Sequence, residues 1–169
     1  MLTPNELITL LNNRGYDYDF HEHNALFTVE DSNKLRGEIT GMHSKNLFLK
    51  NKKNKFFLFS CEEFTKINLK TISKSLGLGN VSFAKEEYLL ELLGISPGSV
   101  TPFALLNNIE NNIDFYLEDK LHESEYINFH PLTNKATVTI NSVKFIEFMI
   151  ENKKKIHIFS TSGETIIKT

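Results

Sequence analysis

The sequence predicts an α+β fold: a mixed, partly closed β-sheet flanked by helices. Three observations predict it. Segments with strand character outnumber those with helical periodicity. Most neighbouring strand segments are joined as hairpins. Two helical segments stand together in mid-chain, over 68–76 and 85–93, stopped by Gly77 and Gly94.

The elements follow in order. Thr3-Pro4-Asn5-Glu6 reads as a capping box with proline at the first helical position. Leu7, Ile8, Leu10 and Leu11 give that helix an apolar stripe, and Gly15 closes it. Tyr16, Tyr18 and Phe20 alternate with Asp17, Asp19 and His21, the pattern of a half-buried strand. A short polar helix is expected over 30–36. Residues 47–50 and 56–59 flank a lysine-rich turn and predict a hairpin. Ser96-Pro97-Gly98 breaks the chain before a short strand expected at 103–106. Residues 107–112 form a turn, and 113–117 return as a strand. The last core strands are expected at 127–129 and 136–140. Ser142 then caps an amphipathic helix reaching about Asn152. Residues 156–159 end the fold, leaving a polar tail that frays.

At 169 residues the chain is long enough for one sizeable core, so a single domain over 1–169 is expected. Hydrophobic content of 40% and charged content of 24% fit an ordinary globular domain. No apolar run approaches the length of a membrane span. The first residues read as a helix start and not as a signal peptide. Cys61 is the single cysteine, which excludes an internal disulfide, and a cytoplasmic location is expected. It follows the apolar 56–59 run and reads as a small buried filler. Net charge of −2 argues against a surface that grips long nucleic acid throughout, though not against local contact. Lysines gather at 50–55, 66–74 and 153–155.

Three polar constellations sit at the ends of apolar runs. Lys45-Asn46 precedes Leu47-Phe48-Leu49. A cation there holds a phosphate or a polarised ester oxygen, or is a plain surface lysine. Asn46 adds an amide donor or caps the strand. Gly98-Ser99-Val100-Thr101-Pro102 allows close backbone approach at Gly98 and fixes the exit at Pro102. Its N–H groups form an anion- or carbonyl-binding nest, or the segment is an ordinary turn. His130 and Asn134 bracket Pro131, so the histidine is a general base or a donor that positions the loop. His21 and His23 share one strand face, but no third metal ligand lies nearby, and a solvated strand edge is expected. No metal and no cofactor are implied.

Together these blocks resemble the YbaK/ProX superfamily, the free-standing relatives of the editing domain inserted in bacterial prolyl-tRNA synthetase. Its Gly-x-x-x-Pro signature stands here as Gly98 to Pro102, its lysine as Lys45, and its His-Pro-x-x-Asn stretch as His130 to Asn134. The likeness runs from Glu22-His23 through the helix after Thr139 and is closest to the trans-editing ProXp-ala/PrdX group. It implies the same fold and a deacylase acting on alanyl-tRNA(Pro). It implies catalytic roles for Lys45, Gly98 and His130. Thr28, Asn46, Ser99, Val100, Thr101, Pro102 and Asn134 are then substrate-binding. The implied partners are the acceptor end of aminoacylated tRNA(Pro) and prolyl-tRNA synthetase, with no membrane and a monomeric state. Other small residues, cysteine or serine, and a non-catalytic tRNA-binding module remain as alternatives.

Overall fold

The computed structural model describes residues 1–25 and 39–161, together with the backbone of 167–168. Helix α1 (Pro4–Asn13) begins with the predicted capping box: Thr3 Oγ1 accepts from the Glu6 N–H at 3.2 Å, and Glu6 accepts from the Thr3 N–H at 2.7 Å. The strands are β1 (Tyr18–Glu22), β2 (Met42–Asn51), β3 (Phe56–Glu62), β4 (Val81–Phe83), β5 (Ile113–Glu118), β6 (Tyr126–Phe129), β7 (Ala136–Asn141), β8 (Ile156–Phe159) and β9 (Ile167–Lys168). Helix α2 spans Leu69–Leu76, and α3 (Glu86–Tyr88) continues into a π turn over Leu89–Leu93. Helices α4 (Asp119–Glu123) and α5 (Ser142–Glu151) complete the set.

The α+β class and the mixed sheet hold. Among the described residues the strand order is β1-β7-β6-β2-β3-β5-β8-β9, with β4 added on β2. The path is open. β2 pairs β3 in the predicted hairpin, while β2–β6, β3–β5 and β5–β8 are parallel. One edge of β2 is shared: β6 occupies it at Met42 and His43, and β4 at Leu49 to Asn51. Between them, among the described residues, no strand pairs with that edge. Lys45 lies in this gap.

Successive residues of a strand point to opposite faces. One face of β2 and β3 carries Phe48, Phe56 and Leu58 into the larger core, where α5 contributes Phe145, Phe148 and Met149. Phe103 meets Phe129, Phe145 and Phe148 there, edge to face, with ring centroids about 6 Å apart. The other face carries Leu49, Phe57, Phe59 and Cys61 against Ile72 of α2. Cys61 is the buried filler the sequence predicts, its thiol pushed up to about 12 mainly by burial.

Four expectations change. The strand expected at 103–106 is a 3-10 helix over Pro102–Asn107. Thr101 accepts from the Phe103 N–H and Pro102 starts the turn, while the apolar run is buried whichever period it adopts. Asn141, not Ser142, caps α5, accepting from the N–H groups of Val143 and Lys144; Ser142 donates instead to the Ser124 carbonyl at 2.5 Å. The fold does not end at Phe159, because β9 pairs antiparallel with β8. Phe20 is 43% exposed, since β1 is an edge strand with only β7 beside it. The helix expected over 30–36 lies outside the described residues.

Candidate active site

Side chains that share one face of the sheet assemble the site. His43 is registered with Asn128 in the parallel β2–β6 pair, and Asn128 with Thr139 in the β6–β7 hairpin. His21 of β1 stands against Thr137. Alternation places His43 and Lys45 of β2, Asn128 of β6, Thr137 and Thr139 of β7, and His21 of β1 on the same face. Carrying the β2–β6 register two residues on sets His130 level with Lys45. Asn128 is the buried centre of this face. It accepts from Thr139 Oγ1 at 2.5 Å and donates to the Thr40 carbonyl at 3.0 Å, while its own carbonyl accepts from Ser44 Oγ at 2.7 Å. Gly41 permits that packing: its φ is +96°, and a Cβ there would lie 3.3 Å from the Asn128 amide.

Two loops close on the end of β6. In the first, the His130 Nδ1–H donates to the Ala136 carbonyl at 2.9 Å, bridging the hairpin from 130 to 136. A carbonyl only accepts, so Nδ1 carries the proton and Nε2 of the neutral ring carries the lone pair. Leu132, buried with φ +63°, makes the tight bend between them. The second is the 3-10 turn Pro97–Ser99 and the residues up to Pro102. The loops meet where Gly98 faces Asn134: a Cβ on Gly98 would stand 3.0 Å from the Asn134 amide nitrogen. Gly98 therefore serves close approach and not backbone conformation, since its φ does not lie in the left-handed region.

The structure brings Gly98 against Asn134, in the loop that His130 opens, while Lys45 contacts a different turn. Lys45 sits within β2, not before it, and its ammonium donates to the Thr65 carbonyl. Asn46, adjacent in a strand, faces the opposite side and accepts from Ser60 Oγ at 2.5 Å. Ser99, Thr101 and Pro102 are buried, so their side chains are not displayed to a ligand. Ser99 Oγ lies 3.2 Å from Ser96 Oγ, and its N–H already donates to the Ser96 carbonyl at 3.0 Å. Val100 packs partly against the larger core. Thr28 lies outside the described residues.

His23 is committed elsewhere: Nδ1 donates to the Asn24 carbonyl at 2.8 Å and Nε2 accepts from Thr137 Oγ1 at 2.9 Å. Neither nitrogen is left for a metal, and no cluster of metal-ligating residues occurs among the described residues. Its ring centroid lies 6.3 Å from that of His130. Burial holds the His130 pKa below its ordinary 6.5 against the raising effect of the Ala136 hydrogen bond, and the neighbouring His23 and His43 add to the lowering. A cavity of about 360 Å³, lined by Asn108, Asn111, Lys153, Lys154 and His157, lies at the Ile113 end of β5, away from these groups.

The His130 environment has a sign that can be tested. Between the lowered folded value and 6.5 the unfolded chain binds more protons than the folded one. The stability this histidine contributes is complete above 6.5 and is lost as pH falls through the folded value. Denaturant melts across that window should show the parent losing stability on acidification, and a His130→Asn variant losing less. Equal slopes would remove His130 from the buried, neutral state.

Residues 23–148 match the aminoacyl-tRNA editing domain family. The chain belongs to this family. It is 38% identical over 133 residues to prolyl-tRNA synthetase associated domain-containing protein 1 of Bos taurus, covering 76% of this chain and 77% of that one. It is 30% identical over 136 residues to the prolyl-tRNA editing protein ProX of Acetoanaerobium sticklandii, covering 80% and 83%. A solved structure provisionally assigned as a trans-editing enzyme for prolyl-tRNA synthetase shares the fold, with a TM-score of 0.67 at 19% identity over 92% of this chain and 96% of that one. The editing-domain match spans Lys45, Gly98, His130 and Asn134, and so includes both loops and β2.

Proposed function

We propose that this editing domain acts in trans as a deacylase, hydrolysing the ester of alanyl-tRNA(Pro) to free alanine and tRNA(Pro). The observation that carries the reading is the meeting of the Gly98 turn with Asn134 in the loop that His130 opens, with Lys45 at the level of His130 when the β2–β6 register is extended. The prolyl-tRNA terms in the names of its relatives support the choice of tRNA.

The chemistry is ester hydrolysis by water. The water oxygen bonds to the carbonyl carbon, the bond to the ribose oxygen breaks, and that oxygen leaves with a proton. Backbone N–H groups of the Gly98 turn hold the carbonyl oxygen as charge develops on it. Lys45 orients the terminal nucleotide. His130, neutral and with its Nε2 lone pair available, accepts a proton or positions water. The sieve logic favours alanine: an activating site built for proline rejects a smaller residue by only ~1–3 kcal/mol, whereas a small second pocket excludes the larger ring by sterics.

A rival reading has one observation in its favour, that several relatives are named only as synthetase-associated domains. It is a tRNA-binding module without turnover. Incubation of the chain with alanyl-tRNA(Pro) distinguishes them. Release of free alanine at a rate that scales with protein concentration is expected; tRNA binding with no release would establish the rival.

A further inference from the structure

β5 ends on Glu118, which is 0% exposed. Its Oε1 accepts from Thr65 Oγ1 at 2.8 Å and from the Glu62 N–H at 3.3 Å. Its Oε2 is buried and has no hydrogen-bond partner among the described residues. Glu62 and Thr65 are the two ends of a tight turn, closed by the Thr65 N–H on the Glu62 carbonyl at 3.1 Å. The same Thr65 supplies the carbonyl that receives the Lys45 ammonium.

Other groups face this point. Glu62 Oε2 lies 3.2 Å from Thr65 Oγ1, and Lys120 Nζ lies 3.4 Å from it. A hydroxyl has one hydrogen to give, and the shorter contact assigns it to Glu118. Burial raises the Glu118 pKa, opposed by its bonds from Thr65 and Glu62 and by the Lys120 charge. A buried carboxyl with one oxygen unpaired is a poor choice for packing alone, because an apolar side chain of similar shape would fill the space without the desolvation penalty. Glu118 is instead aimed at the turn whose far side holds Lys45.

We propose that Glu118 is a positioning residue for Lys45: its carboxyl pins the 62–65 turn so that the Thr65 carbonyl holds the ammonium in the site. The inference rests on the role given above to Lys45, but it makes a prediction that does not depend on turnover. Freed from its carbonyl, the Lys45 amine becomes more reactive than its neighbours.

The test is the rate of acetylation of each lysine by acetic anhydride, read by peptide mass spectrometry on the folded protein. In Glu118→Leu, Lys45 should be modified about tenfold faster, the fold-change of losing one charge-assisted hydrogen bond, while Lys50 and Lys144 are unchanged. Glu118→Gln keeps an acceptor for Thr65 and Glu62 and should restore the parent rate. If Glu118→Leu does not fold, Thr65→Val removes the same link and should show the same rise at Lys45. Unchanged Lys45 labelling in the folded variant, or a rise shared by all lysines, overturns the proposal. Single-turnover deacylation on the same variants reads the other question. A tenfold slower step with an unchanged half-saturating tRNA concentration is expected. Faster labelling with an unaltered rate would leave Glu118 as the anchor and remove Lys45 from the chemistry.

Discussion

Gly98→Val should slow single-turnover deacylation of alanyl-tRNA(Pro) by about a hundredfold or more while changing tRNA affinity little. A Cβ at this position stands 3.0 Å from the Asn134 amide nitrogen, so valine presses on that side chain and crowds the meeting of the two loops. The valine also crowds the turn whose backbone N–H groups are proposed to hold the carbonyl, and removing one such donor costs on the order of 3 kcal/mol. Ser99→Ala is the informative comparison. Its hydroxyl is buried against Ser96 and its N–H is used within the turn, so the substitution should cost far less. The measurement is rate and affinity for both variants, with circular dichroism to confirm folding. A crippled Ser99→Ala beside a nearly normal Gly98→Val would show that the turn works through its hydroxyl, not its backbone.

Lys45→Ala should also lower the rate strongly, by ~10²-fold, with the fold intact. The side chain is half-buried on β2, and its ammonium meets a carbonyl at the surface of a turn, so truncation removes a contact without opening the core. The neighbouring Asn46 provides a control on geometry. It faces away from Lys45 and pairs with Ser60, so Asn46→Ala should act mainly on stability, by about 1 kcal/mol. Thermal melts and single-turnover rates on both variants separate the two effects. A Lys45→Ala variant that is folded and fully active would remove the cation from the site.

Much of this was readable along the chain where the signal is local. The Thr3–Glu6 capping box, the β2–β3 hairpin and the glycine stops after α2 and the π turn each depend on residues within a few positions of one another. The motif residues Lys45, Gly98, His130 and Asn134 stand out by type and spacing, and the fold sets Gly98 against Asn134. What escaped the sequence has physical causes. The run from Phe103 to Leu105 is buried throughout, so its apolar pattern has no period by which strand and 3-10 helix differ. β4 is three residues long and makes sense only beside β2. Lys45 and Asn46 were grouped because they are neighbours, although a strand necessarily sends them to opposite faces. Thr65 and Glu118 lie 53 positions apart, and nothing near either one marks the pair; only the parallel β3–β5 register brings them together.

The most direct measurement is a single-turnover panel with alanyl-, cysteinyl-, seryl- and prolyl-tRNA, the protein in excess and each tRNA charged to the same level. The account predicts fastest hydrolysis of alanyl-tRNA(Pro) and little hydrolysis of prolyl-tRNA, because the second pocket admits the small side chain and excludes the ring. Prolyl-tRNA hydrolysed as fast as alanyl-tRNA(Pro) would contradict it.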